Sequence, residues 1–121
     1  MVKLVNRAKM TTSTTGTGVV TLAAADNGYQ TFASAGVTDG EIVRYVIEDG
    51  DNWEIGSGTY TASGTTLSRT VSESSSSGSA ITLTGSAKVF ISATSEDLSL
   101  DEDYGLITGL VGSVDDYGAL A

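Results

Sequence analysis

Apolar and polar positions alternate over short distances along most of this chain, and strands are the elements this predicts. Val19-Val20-Thr21-Leu22-Ala23 is a β-prone run following Gly16-Thr17-Gly18. Tyr29-Gln30-Thr31-Phe32-Ala33 interleaves aromatic with polar residues and reads as a half-buried strand with a local irregularity. Ile42-Val43-Arg44-Tyr45-Val46-Ile47 is the strongest strand signal, being β-branched and aromatic throughout. It runs into Glu48-Asp49-Gly50-Asp51-Asn52, where Asp-Gly supplies the positive φ of a tight hairpin turn, and Trp53-Glu54-Ile55-Gly56 reads as the return strand. Gly58-Thr59-Tyr60-Thr61 and Thr65 to Val71 flank Ser63-Gly64, a second hairpin signal. Ser72 to Ser79 is low in complexity and reads as a flexible loop. Ala80 to Thr84 and Ala87 to Ser92 form a last pair around Gly85-Ser86. About eight short strands at this spacing predict an all-β fold, a small antiparallel β-sandwich or barrel-like domain. No stretch carries a 3.6-residue apolar period.

This pattern occupies residues 16–95, and the flanks differ from it. Residues 1–15 hold Lys3, Arg7 and Lys9, half of the six basic residues, ahead of a Thr/Ser run. They read as a basic N-terminal arm that meets an acidic neighbour, or as a frayed terminus. Residues 96–121 hold seven of the 15 acids and no base. Within them a unit recurs: Glu102-Asp103-Tyr104-Gly105-Leu106 and Asp115-Asp116-Tyr117-Gly118-Ala119-Leu120, the tyrosines 13 residues apart. Two acids, Tyr-Gly and an apolar residue used twice predict an extended acidic arm. Tyr104, Leu106, Tyr117 and Leu120 would be its anchors, and Asp103 and Asp116 would steer docking on a neighbour.

Composition narrows the chemistry. The 121 residues include no His, Cys or Pro, so nucleophilic triads, imidazole proton shuttles and thiolate or imidazole metal sites are closed to the chain. A formal charge of −9 with six basic residues argues against a nucleic-acid partner. The apolar runs fall far short of the 18 or so residues that span a bilayer, and no secretory leader opens the chain, so no membrane association is expected. Ser, Thr and Gly make up 48 of the residues, which suits a β-rich shell with Gly and Ser in its turns. Asp49, Asp51 and Glu54 cluster near one turn, but the spacing of a calcium loop is missing, and turn acids that cap their own backbone are commoner than ligands. No cofactor, metal or catalytic residue is expected, and the chain is read as a non-enzyme. Gly50, Trp53, Gly56, Gly58 and Tyr60 read as fold-specifying. Gly50 would serve the turn, Trp53 would be the one large core aromatic, and Gly56 and Gly58 would permit a bulge or a close approach.

Taken in order, Gly16-Thr17-Gly18-Val19-Val20-Thr21-Leu22, Gly28-Tyr29-Gln30-Thr31-Phe32, Tyr45 to Tyr60 and Ser63-Gly64-Thr65-Thr66-Leu67-Ser68-Arg69 form a series with a likeness elsewhere. It resembles a β-rich module recurrent in virion proteins of tailed bacteriophages and prophages, over roughly residues 7–92. Its most specific element is the Asp-Gly-x-x-Trp-Glu-x-Gly-x-Gly-Thr-Tyr core. The Asp-Tyr-Gly repeat is similar to repeats of phage structural proteins. The resemblance implies a structural role on the particle, made in the cytoplasm of the bacterial host, with head and tail both open. A capsid decoration (cement) protein, or a tail adaptor or fibre-base component, would bind other copies of itself, as a homotrimer, and major capsid or tail proteins. The alternative is a carbohydrate-binding module that stacks host glycans on Trp53, Tyr60 or Tyr45.

Overall fold

The computed structural model describes residues 2–98. In chain order the elements are β1 (Lys9–Thr12), β2 (Thr15–Gly16), β3 (Val20–Ala25), α1 (Phe32–Ala35), β4 (Ile42–Asp49), β5 (Asn52–Thr61), β6 (Thr66–Leu67), β7 (Thr70–Ser74), β8 (Leu83–Thr84), β9 (Lys88–Ile91) and α2 (Ser95–Leu98). The main sheet runs β4-β9-β1-β3-β6-β5, and β4 also pairs with β5, so the six antiparallel strands close into a barrel. Strand β7 is added outside the ring along β5, and β2 and β8 form a separate ribbon. Closure leaves the ring without a free edge, and it decides between sandwich and barrel.

Period-2 alternation fills the interior. Val43, Tyr45 and Ile47 of β4 point inward with Met10 and Thr12 of β1, Val20 and Leu22 of β3, and Val89 and Ile91 of β9. An eight-stranded barrel is just wide enough to be filled by side chains, so six strands leave still less room. The inward positions of β5 reflect this: Glu54, Gly56, Gly58 and Tyr60. Glu54 and Tyr60 are six residues apart and stand about 20 Å from each other along the strand, near opposite ends of the barrel.

Four readings of the sequence are corrected. First, residues 1–15 are not an arm. Lys9–Thr12 is a strand between β3 and β9, and Lys3 bridges Val43 in parallel. The strand was masked because its outward residues are Lys9 and Thr11, and because its inward Thr12 satisfies its hydroxyl on the Thr21 carbonyl at 2.6 Å. Second, Tyr29–Ala33 is not a strand. Thr31 caps α1 by accepting the Ser34 N–H at 3.0 Å, and Gly36 ends the helix in the left-handed region at φ 116°. The short helix turns Phe32 fully inward, 6.1 Å from the Tyr60 ring, to plug that end of the barrel.

Third, the two strand signals at Trp53–Gly56 and Gly58–Thr61 are one ten-residue strand, β5, in continuous register with β4 from Asp49↔Asn52 to Ile42↔Thr59. Gly50 has φ 64° at the first of two turn positions while Asp51 keeps a negative φ, the pattern of a type II′ hairpin. Fourth, Ser72–Ser79 is not a loose loop throughout. Its first residues belong to β7, and the Ser74 hydroxyl accepts the Ser76 and Gly78 N–H groups, both at 3.1 Å.

Candidate functional site

Two groupings of polar side chains stand out, one inside the barrel and one on its wall. The inner one begins with the glycines of β5. A Cβ on Gly58 would collide with the Ser68 carbonyl, and one on Gly56 with the Thr70 carbonyl and the Tyr45 hydroxyl. The connection from β6 to β7 therefore folds over the inner face of β5, and a register shift between Ile55 and Gly56 accompanies it. This carries Arg69 into the interior, where its side chain is 2% exposed and that of Glu54 is 0% exposed.

All five N–H donors of the guanidinium find acceptors. Nε and Nη2 meet Glu54 Oε2 and Oε1 at 3.0 and 2.5 Å, Nη2 also meets the Ile81 carbonyl at 2.8 Å, and Nη1 meets the Gly16 and Gly18 carbonyls at 3.3 and 3.1 Å. Glu54 in turn accepts the Tyr45 hydroxyl at 2.6 Å and the Ile81 N–H at 3.0 Å. Burial alone would raise the Glu54 carboxyl. The Arg69 hydrogen bonds, with those from Tyr45 and Ile81, outweigh it and hold the group below the usual carboxylate range. Burial first, then the bond to Glu54, pushes the Tyr45 hydroxyl well above an ordinary phenol. A saturated ion pair of this kind ties five chain segments at one end of the barrel and leaves no donor for a substrate.

The carboxylates near the turn are separated by the same alternation. Asp49 faces inward and accepts the Thr84 N–H and hydroxyl at 2.7 and 2.9 Å, joining β4 to β8. Asp51 lies exposed in the turn. No three acid, His or Cys side chains among the described residues are grouped to hold a metal. A shallow depression of about 400 Å³ is lined by Val2, Lys3, Gly40, Glu41 and Ile42, with Lys3 and Glu41 paired at 3.7 Å.

The outer grouping collects bases that the sequence had assigned to an arm. Arg7 has its guanidinium carbon 4.0 Å from the Tyr29 ring centroid and donates to the Gly28 carbonyl at 2.8 Å. The Lys9 ammonium lies between two rings, 5.1 Å from Tyr29 and 5.5 Å from Phe90. Asp26 bridges Lys9 at 3.8 Å and Lys88 at 3.1 Å. The Lys88 hydrogen bond is the main cause that holds the Asp26 carboxyl below its ordinary range. Lys88 and Phe90 were not singled out in the sequence. Their outward parity on β9 and their cross-strand places beside Thr11 and Lys9 bring them here.

The remaining expected residues are spread out. Trp53 is not in the core: it is 38% exposed on the outer side of β5, opposite Glu48 of β4. Its parity is odd relative to Glu54 and Tyr60, which sends it outward. Tyr60 is buried. Tyr104, Leu106, Tyr117, Leu120, Asp103 and Asp116 lie outside the described residues. Compared with known proteins, the chain matches no family model, no curated protein and no solved structure.

Proposed function

We propose that this chain is a non-enzymatic structural protein of a tailed-bacteriophage virion. It acts on the particle surface as a capsid decoration protein or as a tail adaptor or fibre-base component, after synthesis in the cytoplasm of the bacterial host. It binds across neighbouring subunits, to other copies of itself as a homotrimer and to major capsid or tail proteins. One observation carries this reading. The residues that bear the resemblance, Gly16, Gly18, Gly50, Glu54, Gly56, Gly58 and Arg69, are used in building the barrel: its saturated ion pair, the β4–β5 hairpin turn and the close backbone approach over β5. A recurring pattern spent on architecture suits a module reused for assembly, with specificity placed on its surface and its acidic arm. Position and copy number in purified particles, by cryo-EM and quantitative mass spectrometry, test the proposal. The expected result is a fixed stoichiometry on the particle surface, and absence from washed particles would refute it.

The exposed Trp53 favours a second reading, a carbohydrate-binding module of a tail fibre. Tyr45 and Tyr60 are both buried, which reduces its stacking platform to one ring. Titration with host glycans while Trp53 emission is followed separates the two, since a platform shows saturable quenching that Trp53→Ala abolishes.

A further inference from the structure

We propose that the wall formed by β1, β9 and β4 is the docking surface for the chain's own acidic segment 102–106, bound in cis in the free protein. The inference does not depend on the particle reading. Charge is its first support. Lys9 and Lys88 pair with Asp26, Glu48 lies cross-strand from Lys88, and Arg7 shares the Tyr29 ring with Lys9, so three cations stand with two carboxylates on this wall. The other described residues hold three bases and eight acids, 3 − 8 = −5. The wall is the net-positive place on an acidic barrel. The segment offered to it, Glu102-Asp103-Tyr104-Gly105-Leu106, brings three carboxylates in a row with Asp101, then an aromatic and an aliphatic anchor.

The second support is apolar. Phe90, Val46 and Ile55 are cross-strand partners with outward parity on three adjacent strands, and all three are half-buried. They form a row that begins beside the Lys9 cation at Phe90, so acid-then-aromatic order along a peptide meets base-then-apolar order on the wall.

The third support is where the described chain stops. Asp97 in α2 clamps Arg44 through Nε at 3.1 Å and Nη2 at 3.2 Å. Arg44 precedes Val46 by two residues on β4, about 7 Å along the same outer face. Tyr104 comes six residues after Leu98, a reach of up to about 20 Å, enough to cross from Arg44 to Phe90. A site this close to its tether sees the segment at the millimolar effective concentration of a short linker, so weak contacts suffice.

The chain lacks cysteine, so Thr108→Cys places a single nitroxide label beyond Leu106 in the full-length protein. Labelled ¹⁵N protein is diluted into an excess of unlabelled, label-free chain. Docking in cis broadens the amides of Lys9, Lys88 and Phe90 more than those of Lys3 and Glu41. The pattern weakens several-fold as salt shortens the Debye length from about 30 Å at 0.01 M to about 3 Å at 1 M. Arg7→Gln with Lys88→Gln, and separately Tyr104→Ala, each remove the selectivity. Uniform broadening, broadening centred on the Lys3–Glu41 depression, or full selectivity in the Arg7/Lys88 variant overturns the proposal. So does broadening that arises only when ¹⁵N label-free chain is mixed with ¹⁴N spin-labelled chain, because that outcome assigns the wall to a second copy.

Discussion

Replacing Arg69 by Met removes the guanidinium but keeps an unbranched apolar stem in the same space, so the change isolates the charge. The Glu54 carboxylate then loses two of its four hydrogen bonds and keeps only Tyr45 and the Ile81 N–H. Removing one partner of a buried ion pair costs about 3–5 kcal/mol, against a total stability of about 5–15 kcal/mol for a domain. In a barrel of this size that lowers Tm by on the order of 15–30 °C. The pH dependence carries the sharper test. In the wild type Glu54 titrates below its unfolded value of about 4.3, so its stabilisation is present above that pH and is lost as pH falls through the folded value. Without Arg69, burial dominates and the folded carboxyl rises above its unfolded value, so the variant is penalised at neutral pH and relieved on acidification. Circular-dichroism melts from pH 8 down to pH 5 should therefore show the gap between variant and wild type narrowing. Adding Glu54→Leu to Arg69→Met should recover most of the loss, since a well-packed apolar replacement of a buried pair is often neutral. A single-variant loss under about 1 kcal/mol, or a gap independent of pH, would refute the assignment of the pair as the lock of the barrel.

Gly50→Val should cost about 1–2 kcal/mol from its φ of 64° alone, because open space surrounds the site; urea titration measures it. Gly56→Ala should cost about 1–3 kcal/mol or more by overpacking against the Thr70 carbonyl and Tyr45, and an unchanged urea midpoint would mean the strands are not so close. Trp53 emission should be red-shifted and accessible to iodide, and Trp53→Ala should shift stability by less than about 1 kcal/mol. Truncation after Leu98 should leave Tm within a few degrees. Truncation before Ser95 removes Asp97 from Arg44 and should cost about 1–2 kcal/mol more in a matched melt.

Strand β4 was legible because its β-branched and aromatic run carries Val43, Tyr45 and Ile47 on one parity and buries them, and β5 was legible from the Asp-Gly turn that returns the chain along β4. Strand β1 was not, since a barrel wall needs only Met10 and Thr12 turned inward, and Lys and Thr at the other positions look like a tail. The helix at Phe32 was hidden by an aromatic pattern that a strand shares. Its capping signal, Thr31 followed by Gly36, was present but short. The Glu54–Arg69 pair could have been found by parity. Glu54 lies in phase with Gly56, Gly58 and Tyr60, so an inward Tyr60 implies an inward Glu54, and a buried acid needs a base. What parity could not supply is which base, because Arg69 arrives through a backbone fold across two glycines, a long-range feature.

The placement of the six bases bears on how this barrel could serve assembly. Arg69 is consumed inside, Arg44 pairs with Asp97, and Lys3 pairs with Glu41. That leaves Lys9 and Lys88 sharing Asp26, with Glu48 cross-strand from Lys88, and the charged heads of Arg7 and Lys9 set over the Tyr29 and Phe90 rings. Cations pre-ordered by ring contacts lose less side-chain entropy when an acidic segment arrives, so the contact gains specificity without great strength. Under the docking proposed above, exchange of the segment between its own barrel and a neighbour's would conserve the contacts and change only connectivity, as in domain swapping. A protein that adds to a finished surface needs contacts of this reversible kind, and the acidic repeat holds two copies of the unit that could make them.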